Sequence, residues 1–220
     1  MKIRALATTV ALLFAGAAQA DVITLTFEGV GNQASVNNFY NGGTDSLGNS
    51  GTNYGIQFGT NSLGLIDADA NGGNGGNFAN EPSPSTILFF LSGTAILNYM
   101  PGFTTGFSFY YTSSTAASVN VYDGLDATGN LLGSIDLTAN FNNNCTGDPT
   151  GRFCHWDIGS LAFTGVAKSI DFGGTVDNTG YDNITFGSTN PSGVPEPTTI
   201  ALLGLGLVGA AVTRRRRSNI

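Results

Sequence analysis

Histidine and tryptophan occur once each in 220 residues, cysteine twice, and Lys and Arg together only eight times. With His155 alone there is no histidine cluster to hold zinc, and no Gly-x-Ser-x-Gly elbow marks a hydrolase nucleophile. Helix formers are scarce. No internal repeat of blade length occurs, which argues against a β-propeller. The shortage of basic residues is sharper than the total shows. Lys2, Arg4 and Arg214–Arg217 lie at the two ends, leaving only Arg152 and Lys168 between Asp21 and Glu196. All fifteen acidic residues fall in that interval, so two positive charges face fifteen negative ones there, a formal −13 against −7 for the whole chain. A surface of that sign repels nucleic acid and anionic membranes. It suits divalent cations or neutral sugars. The run Gly72-Gly73-Asn74-Gly75-Gly76 is followed by neither lysine nor helix and is no phosphate loop.

What the chain does have is concentrated at its ends. Lys2 and Arg4 precede a run of apolar and small residues from Ala5 to Ala18, and Ala18-Gln19-Ala20 is a small-x-small cleavage site. Residues 1–20 therefore read as a secretory signal peptide removed by signal peptidase, with the mature chain starting at Asp21. Cys145 and Cys154, in a polar Asn/Gly/Pro loop, read as one disulfide in an exported chain. At the other end, residues 191–197 form a linker ending in Pro195-Glu196-Pro197. Residues 198–213 are an uncharged apolar run and 214–220 a basic tail. Sixteen helical residues span about 24 Å, short of the ~30 Å hydrocarbon core. Snorkelling arginines extend the reach. Arg214, Arg215, Arg216 and Arg217 should stay cytoplasmic as a stop-transfer signal, leaving the body across the inner membrane.

Val194-Pro195-Glu196-Pro197, the apolar run and the arginine cluster, in that order at the C-terminus, resemble the PEP-CTERM sorting signal of Gram-negative bacteria. The resemblance implies recognition by a membrane-embedded exosortase and removal of the helix near the Pro-Glu-Pro motif. It also implies a host that makes exopolysaccharide, as in a biofilm, and a destination at the cell surface or beyond. Two prolines hold the motif extended and accessible to a protease. Such tails are also labelled ice-binding C-termini, but the body has no array of regularly spaced threonines.

Residues 21–190 are one domain by length. Segments of period two recur at 22–27, 54–58, 63–66, 95–100, 106–111, 118–122, 131–137, 158–163, 169–172 and 181–186, with a solid apolar run at 86–91. Gly, Asn and Asp mark the turns between them. About ten short strands without an amphipathic helix predict an all-β antiparallel sandwich, jelly-roll-like. Phe27-Glu28-Gly29 at the start and Tyr181-Asp182-Asn183-Ile184 at the end resemble the two ends of carbohydrate-binding-module-like jelly rolls. Tyr40 to Gly43 is a YNGG-like segment also seen in secreted PEP-CTERM proteins. The resemblance implies that first and last strands lie close and share a structural Ca2+.

Three site candidates follow. Glu28 and Asp182 are the first calcium pair, read against two solvated strand-end acids. Asp67, Asp69 and Asn71, with Gly72 at the sixth position, match the start of a calcium loop. Position twelve is Phe78 instead of glutamate and no flanking helix is predicted, so this is no EF-hand but a partial calcium loop, read against a flexible Asn/Gly surface loop. The third candidate is aromatic: Phe107, Phe109 and Tyr111 share one parity and Ser108 and Tyr110 the other, so one set faces the core. Tyr110, Tyr122 and Trp156 are candidates for stacking on a sugar, read against ordinary core packing. No catalytic residue is assigned. The expected function is a noncatalytic surface or matrix protein with polysaccharide and calcium as candidate ligands. The alternatives are a purely structural or adhesive protein and an extracellular glycan hydrolase, for which two suitably spaced carboxylates would suffice.

Overall fold

The computed structural model describes residues 22–73, 75–143 and 151–191. Eleven strands fill them: β1 (Ile23–Leu25), β2 (Ile56–Phe58), β3 (Leu63–Ile66), β4 (Thr86–Phe89), β5 (Ala95–Phe103), β6 (Gly106–Ser113), β7 (Ala117–Tyr122), β8 (Leu131–Leu137), β9 (Asp157–Ala162), β10 (Ala167–Phe172) and β11 (Thr179–Phe186). There is no helix among the described residues. Each predicted segment yields a strand, with shifted ends. β1 stops at Leu25 because Phe27 turns into the left-handed region at φ 61. β5 runs past Met100, through Pro101, to Phe103.

One sheet has the order β3-β4-β11-β6-β9, with β1 also paired to β11; the other is β2-β5-β10-β7-β8. From β4 to β11 the chain changes sheet at every connection except the β7–β8 hairpin. The resulting orders, β4-β11-β6-β9 facing β5-β10-β7-β8, are those of a jelly roll, as expected. All named pairings are antiparallel.

Alternation decides what lies between the sheets. Phe107, Phe109 and Tyr111 of β6 point inward with Tyr181, Ile184 and Phe186 of β11, and meet Val119, Val121, Ile170 and Phe172 of the facing sheet. Phe109, Phe172 and Tyr181 form an edge-to-face trio with centroids 4.9–5.9 Å apart. Each fully buried aromatic ring contributes about 1.5–3 kcal/mol through area alone. A second, smaller cluster lies on the outer face of the first sheet. There Leu65, Ile87 and Phe89 are covered by Phe78 and Phe153, whose segments are joined by a bridge and by Ala79 N–H donating to the Phe153 carbonyl at 3.0 Å.

The two ends of the body meet. Ile23 pairs with Phe186 and Leu25 with Ile184. After β11 the chain is strapped to the sheet: Gly187 N–H donates to the Gly106 carbonyl at 2.9 Å, and Ser108 Oγ to the Ser188 carbonyl at 2.9 Å. Thr185 Oγ1 donates to the carbonyl of buried Pro191 at 3.3 Å.

Candidate functional site

β11 carries one extra residue between Asp182 and Thr185 relative to β6, and Asn183 there has φ 47. On its other edge β4 pairs at Tyr181 and β1 only from Ile184 onward, so Asp182 and Asn183 lie level with the gap between them. Segment 81–85 enters this gap. Ser83 N–H donates to Asp182 Oδ2 at 2.8 Å, and its hydroxyl lies 2.8 and 2.9 Å from Oδ1 and Oδ2. Asn183 N–H donates to Oδ1 at 2.7 Å. Glu28 sits beside it, accepting from Thr86 N–H at 2.9 Å and Ser85 Oγ at 3.2 Å. The structure therefore brings together the two acids that the sequence separates by most of the domain.

Both carboxyls are electrostatically starved. Burial pushes Asp182 up to about 7 despite the Ser83 and Asn183 donors, and the Glu28 charge adds to the rise. Burial likewise raises Glu28, with help from Glu81. No basic residue relieves either. Asn183 Oδ1 is buried without a hydrogen-bond partner. Phe27, Ser85 and Asn183, at φ 61, 78 and 47, put three strained non-glycine residues around the pair. This is a set of hard oxygen donors with excess negative charge, the donor chemistry calcium takes. Yet no group of three or more acidic, histidine or cysteine side chains that could hold a metal is present among the described residues. An ion here would have to complete its shell with amide or backbone oxygens and water.

The second acidic candidate is less closed. Asp67 is buried with Oδ1 unpartnered, whereas Asp69 and Asn71 are exposed. Burial first, then pairing with Asp69 and the charge of Glu81, lifts the Asp67 carboxyl to about 6. Asn74 lies outside the described residues.

Of the three aromatic candidates, two come together. Tyr110 has the outward parity of β6, opposite Ile158 of β9 and Asp182 of β11. Trp156 immediately precedes β9. Both line a depression of about 380 Å³ with Asn80, Pro82, His155 and Asn183. The indole is fixed by Nε1–H donating to the Ala79 carbonyl at 3.0 Å and by an edge contact with Phe78 at 6.4 Å. His155 Nε2 lies 3.1 Å from Asp157 Oδ1. Tyr122 belongs to the other sheet, on β7, and is not part of this site.

A larger groove of about 690 Å³ escaped the sequence reading. Gln57 and Asn98 face each other across β2 and β5, and Asn37, Asn38 and Asn41 from the loop after β1 close one side. Asn98 Nδ2 donates to Asp126 Oδ1 at 2.6 Å and Asn98 Oδ1 accepts from Asp126 N–H at 2.7 Å, which holds the β7–β8 loop beside the groove. The lining is amide-rich, with Met100 72% exposed. Asp45, also in the lining, is raised by burial, but donors from Gly31, Asn49 and Leu47 outweigh this and hold it below the ordinary carboxylate range. It is therefore a poor proton donor at neutral pH. The only sequence trace of this groove was Tyr40–Gly43, which contributes Asn41.

Cys154 is buried and is not a free thiol. Cys145, the signal peptide, Pro195-Glu196-Pro197, the apolar run and Arg214–Arg217 lie outside the described residues. No described helix is long and apolar enough to cross a membrane.

Residues 193–217 match the PEP-CTERM protein-sorting motif. No curated protein matches the chain. Among solved structures, the chain is similar to a glycoside hydrolase family 43 arabinoxylan arabinofuranohydrolase from Bacillus subtilis in complex with cellotetraose, at 17% identity and a TM-score of 0.37. That match covers 58% of this chain and 24% of the hydrolase, so the chain spans about a quarter of that protein's length. It is also similar to a carbohydrate-binding module from Clostridium stercorarium in complex with cellobiose, at 17% identity, TM-score 0.34, and coverage of 56% and 91%. A family 6 carbohydrate-binding module studied for its binding sub-sites gives 18% identity, TM-score 0.33, and coverage of 57% and 93%. None of these three likenesses decides what the present chain binds.

Proposed function

We propose that this is a noncatalytic protein of the bacterial cell surface or extracellular matrix, whose sandwich binds polysaccharide at the shallow site of Tyr110 and Trp156. Delivery is by export, transient anchoring of the apolar tail in the inner membrane and cutting by an exosortase near Pro195-Glu196-Pro197. The match at residues 193–217 supports that route. The observation that carries the ligand class is the meeting of Tyr110 and Trp156 in one depression rimmed by Asn80, Asn183 and His155. Aromatic faces stack on the apolar faces of sugar rings while amides bond hydroxyls. No carboxylate lines that depression, which favours binding over hydrolysis there.

A glycan array with the mature secreted form tests this. Tyr110→Ala and Trp156→Ala should each abolish the signal for a neutral polysaccharide, with a cooperative thermal transition above the array temperature verifying that each variant is folded. Absence of any glycan signal would favour a purely structural or adhesive role; robust release of reducing ends would favour a hydrolase. The Glu28–Asp182 pair binds structural calcium in this proposal, supported by its unrelieved charge and the orphaned Asn183 oxygen. Cys145 and Cys154 form the one disulfide, supported by Cys154 not being a free thiol.

A further inference from the structure

The body departs for its tail from one end of the sandwich. Val22 enters β1 there, the connections 104–105, 123–130 and 163–166 lie there, and the strap 187–191 leaves from there. Connections 90–94, 114–116 and 173–178, with the described residues next to β8 and β9, lie at the other end. Charge is divided unequally between the two. Of the acidic residues described, Asp123 and Asp126 stand on the connections 104–105, 123–130 and 163–166. Lys168, at the start of β10, is near them. Asn130 donors hold Asp123 ionised, and Lys168 adds to that. The other exposed side chains there include Thr104, Thr105, Thr164, Val166 and Thr189, all uncharged. Asp136, Asp157, Asp171 and Asp177 stand toward the far end. Glu28, Asp67, Asp69, Glu81 and Asp182 occupy the β3–β4 flank, and Asp45 lines the groove that also holds Asp126.

Reach adds a second constraint. The strap is fixed as far as Pro191. Six residues separate it from Thr198, the first of the apolar run, and the seven Cα-to-Cα steps between them cover at most about 25 Å. β6, with eight residues, is itself about 26 Å long. The tether cannot run the height of the sandwich and still enter a bilayer, so the far end cannot face the membrane. Lying on the β3–β4 flank would press its carboxylates onto anionic headgroups, which repel them.

We infer that, before its tail is cut, the sandwich stands on the membrane by its strap end. A rim of Thr104, Thr105, Thr164 and Val166 meets the lipid headgroups, and Trp156 with the acidic end is turned toward solvent. This rests on the reading of the tail as membrane-held. Trp156 is the sole tryptophan and sits at the far end, so it is a built-in reporter. Full-length, uncut protein is reconstituted into phosphatidylethanolamine–phosphatidylglycerol vesicles with nitroxide-labelled headgroups, and tryptophan quenching is read. Trp156 in the unaltered chain should be quenched weakly. In Thr164→Trp combined with Trp156→Phe, quenching should be several-fold stronger. The same Thr164→Trp change with Trp156 retained should add a strongly quenched component, which covers the case of a poorly folded double variant. Equal quenching at both positions, or stronger quenching of Trp156, overturns the upright stance. Failure of the chain to float with the vesicles overturns the membrane-held tail, and the stance with it.

Discussion

Replacing Asp182 with asparagine should flatten the protein's response to alkali. In the native state burial lifts this carboxyl from an ordinary 3.8 to about 7. Between those values the folded chain keeps a proton that the unfolded chain has released, so stability falls as pH rises through the window and the loss is complete above it. Each tenfold change in proton affinity is worth about 1.4 kcal/mol, which puts the cost of ionising Asp182 at about 4 kcal/mol. Against a typical total of about 5–15 kcal/mol this is a large fraction. Glu28 and Asp67 are raised too and tilt the profile the same way, while Asp45 and Asp123 are lowered and tilt it the other way. Asp45, Asp67 and Asp123 are common to both proteins and drop out of the difference, while Glu28, whose charge is felt by Asp182, remains within it. Urea unfolding in the presence of chelator, followed by Trp156 fluorescence at steps from pH 5 to pH 8.5, measures it. The unaltered protein should lose about 2–4 kcal/mol more than Asp182→Asn over that range. Parallel profiles would refute the burial of a charge-starved carboxylate in the β11 gap.

Calcium at pH 8 should raise the melting midpoint of the unaltered protein but not of Asp182→Asn; a hundredfold excess over Kd corresponds to about 2.7 kcal/mol, and scanning calorimetry reads the shift. Phe109→Ala should cost about 3–5 kcal/mol in urea unfolding by removing the ring shared with Phe172 and Tyr181. Gly159→Ala should cost about 1–3 kcal/mol by overpacking, since a Cβ there would lie 2.4 Å from Phe109 Cζ. Alkylation of the secreted protein without reductant should leave Cys145 and Cys154 unmodified, with both labelled after reduction; mass spectrometry distinguishes the two.

The sandwich was legible because its signal is local and repeated. Phe107, Phe109 and Tyr111 alternate with Ser108 and Tyr110, and the parity alone says which set is inside. Ends were less legible, since β1 stops where Phe27 adopts a left-handed turn that no propensity reveals. The Glu28–Asp182 meeting was reached through resemblance; nothing local in either segment states it. What holds it, Ser83, went unnoticed, although Pro82 and Pro84 on either side mark a stiff extended piece fit to enter a gap. The outer cluster of Phe78 and Phe153 was invisible because it joins two loops by tertiary contact. The amide-rich groove was missed for a similar reason: Gln57 and Asn98 lie in different strands, and only register makes them neighbours.

The last of the described strands is the one that joins the two halves of its sheet. β11 is flanked by β6 on one edge and by β4 and β1 on the other, and the Thr24–Thr185 hydrogen bond spans 161 positions. No shorter portion of the polypeptide can close that sheet. Phe186 lies nine positions ahead of Pro195, so along the chain the sheet is completed only just before the sorting motif. A product ending before Thr179 would lack both the strand that joins β6 to β4 and β1 and the residues that match the sorting motif.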